Sequence, residues 1–391
     1  MRDSDEPTRV YSKLSDTSKF SDSLKNKAIN YIPSLSTSDT KCKTTARKSQ
    51  RQATWLDRTC QNVANTCHRG RIRHEVNFPE TFNGLYSAKF SLRGDIVATG
   101  FGDGGIEMRN GETGQLLSTL RLAPEESLPI MCCQFHAIEG MILYASSACG
   151  KIFICNLDTE ECFKFIEEPE NEINTISAST DGEYLVSGGK DAALRVYDAS
   201  TGKVIHTYQK DTTGMIADAL EKFHRMRIFA AKFHKTIPEL IVSGGWDDTV
   251  QIWDIRTGGG SIRSIKGPHI CGDALDVHET KIITGSWTVE GSLQLWDLIS
   301  GRLMDTIIPR NRPTTLDGEF LYVAQYFNGE ARGDLVVTGG VGTGAVEVID
   351  LTEKRVIGSF PVTKAVLTID THMMSLVFGG LDSTLRIAEF P

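Results

Sequence analysis

No stretch of this 391-residue chain is apolar for long enough to cross a bilayer as a helix. Its longest apolar runs are strand-sized, against the ~20 residues a membrane helix needs. The first residues, MRDSDEPTRV, contain no apolar run, so no secretory leader is expected there. The nine cysteines are odd in number and lack paired spacing, which argues for a reducing compartment and against a disulfide framework. GxSxG, HExxH, paired CxxC and the phosphate-binding glycine loops are all missing from suitable contexts. The glycine-rich runs at 100–105 and 339–344 lead into strand patterns, whereas phosphate-cradling loops lead into helices. Cys132 and Cys133 are neighbours on one strand and must point to opposite sheet faces, an awkward pair for a shared metal. His269, Cys271 and Asp273 come nearer to a ligand set and are read as ordinary packing. No cofactor and no metal are expected.

What the chain does contain is a recurring hairpin. In ELIVSGGWDDTVQIWD (239–254) two alternating, β-branched runs flank a tight-turn signal. IFAAKF (228–233) before it and SIRSI (261–265) after it share the period of two, giving four strands per unit. The turn occurs seven times in all, and the closing residues Asn110, Asn156, Asp198, Asp254, Asp297, Asp350 and Glu389 lie 46, 42, 56, 43, 53 and 39 residues apart. This is the period of a four-stranded propeller blade. Through these hairpins, and through the dipeptides Trp253-Asp254 and Trp296-Asp297, residues 74–391 resemble the WD-repeat (WD40) β-propeller family. The expected fold is all-β: a seven-bladed WD40-type propeller over 72–391, preceded by a basic tail at 1–71.

Charge is divided between these parts. Residues 1–73 hold 15 Lys or Arg against 7 Asp or Glu, a net +8, and the remainder holds 27 against 43, a net −16. So acidic a ring repels a phosphate backbone, and no nucleic-acid partner is expected. Residues 1–52 carry too few large apolar side chains to offset the ~1–2 kcal/mol per residue that ordering a backbone costs, which predicts disorder. Trp55, Leu56, Val63 and Cys67 place an apolar stripe on a short helix over 53–67 that could lie against the side or underside of the ring.

The last repeat ends directly after its third strand, so its outermost strand must come from elsewhere. Residues 73–77, followed by Pro79, are the best supplier. In the family that the chain resembles, such a strand closes the circle and removes the open sheet edges. Three insertions interrupt the period: 210–227, with a two-turn helix expected from near Thr213; 308–319; and 329–333.

The resemblance implies a hydrogen-bonded structural set in blade 4 made of His224, Ser243, Asp247 and Trp253. Other blades retain fragments, Asp103 with Thr99, Asp191 with Ser187, and Asp382, while Cys149, Thr343 and Glu290 stand where the turn Asp would be. It also implies that partners are read on the narrow face, by residues beside each turn: Phe101, Lys190, Met226, Trp246, Trp287 and Leu381. The function expected is a non-catalytic scaffold or adaptor that binds other proteins or peptides, basic ones favoured, as a single copy within a larger complex. It would be cytoplasmic, with nuclear residence compatible. Two alternatives stand beside it. One is a propeller hydrolase with its site in the central channel, where the inner strands supply only Asp276 and Asp370 as carboxylates. The other is a recognition or targeting subunit of a ubiquitin-ligase, chromatin or centriolar complex.

Overall fold

Residues 70–124, 128–210, 221–312, 318–328 and 332–390 are described by the structure, a computed structural model of the chain. Their strands form seven antiparallel sheets of four, one per repeat. The tail, its 53–67 stripe and the helix expected near Thr213 lie outside the described residues.

Blade 4 shows why the pattern folds as it does. Leu240–Gly245 pairs with Thr249–Asp254 across Trp246, Asp247 and Asp248, and Asp248 takes the left-handed conformation (φ 56°) that a tight turn requires. Second and third strands are sandwiched between neighbouring blades, so Ile241, Val242, Val250, Ile252 and Trp253 are all buried. Outer strands such as Val204–Tyr208 are largely exposed, with only Tyr208 fully buried.

The seventh sheet is built from both ends of the described chain. Arg71–Asn77 pairs antiparallel with Thr384–Glu389, Asn77 opposite Thr384 and Arg71 opposite Glu389. The Thr384 hydroxyl donates to Asn77 Oδ1 at 2.9 Å, and Arg73 donates to Glu389 at 3.0 Å. Just beyond the strand, Phe78 packs edge-on against Phe101 at 4.7 Å, in a cluster with Val76, Leu85, Val97 and Ile387. Ile72 packs into the cluster shared by blades 6 and 7. Closure is therefore apolar as well as hydrogen-bonded.

Inner strands present an edge to the channel, and their backbone needs partners. Side chains from neighbouring blades provide them. Thr368 Oγ1 accepts from Ala88 N at 2.9 Å and Asp370 Oδ2 from Phe90 N at 2.8 Å, joining blade 7 to blade 1. Ser87 serves Cys133 N, Thr175 serves Ala231 N, and Asp276 serves Tyr326 N at 2.9 Å. On the underside, His372 lies against Gly94, His136 against Gly182 and His278 against Gly333, each resting an imidazole on the next blade's turn, where a Cβ would collide with the ring.

One expectation is corrected. Cys155 and Cys162, directly opposed on the third and outer strands of blade 2, are joined in a disulfide. The sequence shows only a separation of seven; the register that makes them partners is a property of the sheet. The 308–319 insertion contributes an ion set to blade 6. Its Arg312 side chain, 7% exposed, lies between Glu319 of the same insertion and Glu347 of blade 6.

Candidate functional site

Six of the seven inner strands carry a register shift at one place, between their first and third residues. Bulges of this kind re-aim a side chain. The displaced residues are Tyr86, Met131, Asn174, Phe229, Tyr322 and Leu367, and they ring the channel mouth. Two of them are the platforms for the tryptophans.

Trp246 lies on Phe229 with ring centroids 5.2 Å apart, and the Arg227 guanidinium sits 5.7 Å from the indole and 5.9 Å from the Phe229 ring. Glu172 holds that guanidinium at 2.7 Å and accepts Lys190 Nζ at 2.9 Å. Trp287 packs on Phe320 at 4.9 Å and on Tyr322 at 6.4 Å. Beside Trp246 lies Cys271, whose thiol burial pushes up to about 12, so at neutral pH it is a small apolar group and not a nucleophile. Trp246 and Trp287 are half-buried, and their shielded indole N–H groups close no hydrogen bond of normal length. The result is a row of aromatic surface across blades 4 to 6, flanked by charge at Lys190 and Asp248.

The other residues expected on this face divide. Met226 is 49% exposed and Lys190 is exposed, while Leu381 is half-buried. Phe101 is corrected: it is fully buried, covered by Phe78 and Phe82, and cannot meet a partner. The segment that closes the ring also roofs this turn.

Beneath the row, blade 4 holds a continuous relay. The Trp253 indole donates to Ser243 Oγ at 2.8 Å, Ser243 lies 2.7 Å from His224 Nε2, and His224 Nδ1 lies 3.0 Å from Asp247 Oδ2. One proton assignment satisfies all of it, with Ser243 donating to Nε2 and Nδ1–H to the carboxylate. Asp247 also accepts from Arg225 N at 2.8 Å and from the Thr249 hydroxyl at 2.7 Å. Burial alone would raise its carboxyl, but the hydrogen bond from His224 and the other donors outweigh that and hold it below its ordinary 3.8. Asp247→Ala should therefore cost about 1–3 kcal/mol of stability. A depressed carboxyl contributes fully above its unfolded value and loses the contribution as pH falls. The gap between parent and variant should thus narrow below about pH 4 in denaturant titrations. Equal midpoints at pH 7 would refute the role.

Other blades solve the same problem with different residues. In blade 3, Glu168 replaces the histidine, accepting from Ser187 at 2.5 Å, Tyr197 at 2.8 Å and Arg195 at 2.8 Å. Asp191 turns to Arg195 instead of Ser187, and Asp103 caps Gly105 N while Thr99 bonds the Glu107 carbonyl. Those fragments do not reconnect as expected, because a third-strand arginine or a backbone group has taken the aspartate. In blade 5, Trp296 still donates to Thr284 at 3.0 Å, but Glu290 is exposed and Glu319 serves Ser292 N instead.

The channel carries one residue per blade, at the fifth inner-strand position in six of them and at the second residue of the shorter blade 5 strand: Lys89, Gln134, Ser177, Lys232, Asp276, Gln325 and Asp370. A further carboxylate missed in the sequence, Asp273, joins them from just before the blade 5 strand. It pairs with Lys232 at 2.6 Å and with Lys89 at 3.5 Å, and Lys89 lies 3.6 Å from Asp370. Burial works against the charge on Asp273, and the two ammonium groups outweigh it and hold the carboxyl low. With Asp276 and Asp370 occupied by backbone N–H groups, the axial carboxylates of the described residues are tied into the lattice. His269 faces Asp248 at 2.6 Å, so His269, Cys271 and Asp273 point to three different neighbours. Among the described residues no group of three His, Cys, Asp or Glu could hold a metal ion.

Comparison with known proteins agrees with this geometry. Residues 224–254 match the family described as WD domain, G-beta repeat, and residues 141–221 match the anaphase-promoting complex subunit 4 WD40 domain. Over 210 residues the chain is 24% identical to Periodic tryptophan protein 2 of Arabidopsis thaliana, covering 45% of this chain and 23% of that protein. It is 27% identical over 176 residues to Nuclear distribution protein nudF of Aspergillus niger, with 42% and 39% covered. Pre-mRNA-processing factor 19 of Mus musculus is 23% identical over 162 residues, with 41% and 29% covered. The matched stretch spans well under half the length of these relatives. No described helix is long and apolar enough to cross a membrane. With the repeat match centred on the blade that keeps the whole His–Ser–Asp–Trp relay, and six further blades of the same plan around it, the described ring is a seven-bladed β-propeller of the WD-repeat type.

Proposed function

We propose that the protein is a non-catalytic scaffold whose channel mouth, along Trp246 and Trp287 over blades 4 to 6, seats a partner protein or peptide. The supporting observation is the aromatic row itself: two partly exposed indoles are braced on the bulge-displaced rings of Phe229 and Tyr322, with their N–H edges shielded. Rigid aromatic anchors of this kind dominate protein interfaces. The acidic balance of residues 74–391 favours basic groups on the partner. Trp246→Ala with Trp287→Ala should reduce capture of partners from native lysate at least ten-fold while the melting curve stays that of a folded ring. Capture by the parent should weaken as salt rises. Undiminished capture by the double variant would sink the proposal.

A second reading, a subunit role within a larger complex, draws on the match of residues 141–221 to a WD40 domain of a complex subunit. Native size fractionation separates the two readings. A dedicated subunit co-elutes with fixed partners in constant ratio, whereas a general adaptor distributes over several sizes. The channel-hydrolase alternative finds no support in carboxylates that are already paired.

A further inference from the structure

The face opposite the tryptophans carries an apolar patch that the scaffold role does not use. Inner-to-second-strand turns lie on this face. In blades 7, 1 and 2 they expose Met373 (67%), Met374 (49%), Leu92 (51%), Ile138 (66%) and Met141 (38%). These residues adjoin one another across the blades. His372 Nε2 lies 3.3 Å from the Leu92 carbonyl, and the Leu92 side chain comes within 3.6 Å of where a Cβ of Gly140 would be. Contiguous apolar surface of this kind on one face marks an interaction site, and methionines suit an adaptable one.

The chain itself points to the occupant. Arg71, Glu389 and Ser375 lie in one row across blade 7, at that sheet's underside end. At about 4.8 Å per strand, Gly70 emerges about 10 Å from the Met373-Met374 turn. Phe390 N donates to the Met374 carbonyl at 2.8 Å, so this turn borders both chain ends of the ring. The sequence immediately before Gly70 holds Trp55, Leu56, Cys60, Val63, Ala64 and Cys67 at spacings of three and four, the stripe of a helix with one apolar face. Fifteen residues, 53–67, laid as a helix reach about 22 Å. Two steps between packed sheets, from blade 7 to blade 2, amount to about 20 Å.

We infer that residues 53–67 cover this patch in cis, Trp55 and Leu56 lying farthest from Gly70 and over the turns of blades 1 and 2. The occupant is a segment of the same chain, tethered by two residues, so its effective concentration is high and no partner need supply the cover.

Oxidative footprinting of the full-length protein tests this, read methionine by methionine by mass spectrometry. Met226 (49% exposed) and Met304 (52%) lie away from the patch and serve as internal controls. Met373 and Met374 should oxidise at least five-fold more slowly than the controls, and Trp55→Ser with Leu56→Ser should bring them to the control rate. Oxidation at the control rate in the parent overturns the inference without any variant. So does protection that survives the double substitution, or protection that grows with protein concentration, which would identify a second copy as the cover.

Discussion

Phe78→Ala should lower the stability of the ring by about 3–5 kcal/mol, the range for emptying a buried phenylalanine site. Phe78 is 8% exposed and stands where the entering chain meets blade 1. It packs against Phe82 at 5.8 Å and Phe101 at 4.7 Å, with the Arg109 guanidinium 4.7 Å over its ring. Its loss would uncover Phe101 as well, adding a second aromatic to the exposed surface. Val76→Asp should act in the same direction, by placing a charge among Leu85, Val97, Leu385 and Ile387. Either change should loosen the pairing of 71–77 with 384–389 and leave blade 7 with an open edge, so aggregation should accompany the lowered melting midpoint. Calorimetry with light scattering measures both. A midpoint within 1 °C of the parent would show that the segment contributes nothing to closure.

Arg312→Met should cost about as much, roughly 3–5 kcal/mol, for the opposite reason. The Arg312 side chain, 7% exposed, lies between the carboxylates of Glu319 and Glu347, and removing the cation leaves two like charges facing each other with only Ser292 N still donating to Glu319. Burial already raises the Glu347 carboxyl, against the pull of Arg312. The variant should therefore recover part of its loss as the pH is lowered and Glu347 takes up a proton. Arg312→Met combined with Glu347→Leu and Glu319→Gln should regain most of the stability, since an apolar replacement of a buried ion set is often neutral. A triple variant no better than the single one would mean that Arg312 acts by packing and not by charge.

The repeat was legible because each hairpin carries its own evidence. ELIVSGGWDDTVQIWD states strand, turn and strand within sixteen residues, and seven such statements fix the number of sheets. The His224–Ser243–Asp247–Trp253 positions could be named in advance because the resemblance to WD repeats assigns those four residue types to set offsets from one turn. What escaped the sequence depends on neighbours far away in the chain. Glu168 substitutes for a histidine only because Ser187 and Tyr197 face it across the sheet. Asp273 became an axial group through Lys89, which lies 184 positions earlier. Phe101 fits the pattern of a display residue, yet Phe78 and Phe82 cover it. Phe229 and Tyr322 acquired their place at the channel mouth from bulges, which shift a side chain without leaving a compositional mark.

The face that carries the aromatic row exists only if the ring is closed, and closure can be read covalently. Asn77 and Thr384 are directly opposed, with Oδ1 and Oγ1 2.9 Å apart. Asn77→Cys with Thr384→Cys, oxidised mildly in the folded protein and digested, should give one dominant cross-linked peptide joining the two ends of the ring. Its formation should be lost on unfolding before oxidation. Failure of the two cysteines to join in the folded protein, or their joining other cysteines at comparable yield, would contradict a propeller closed by its first strand.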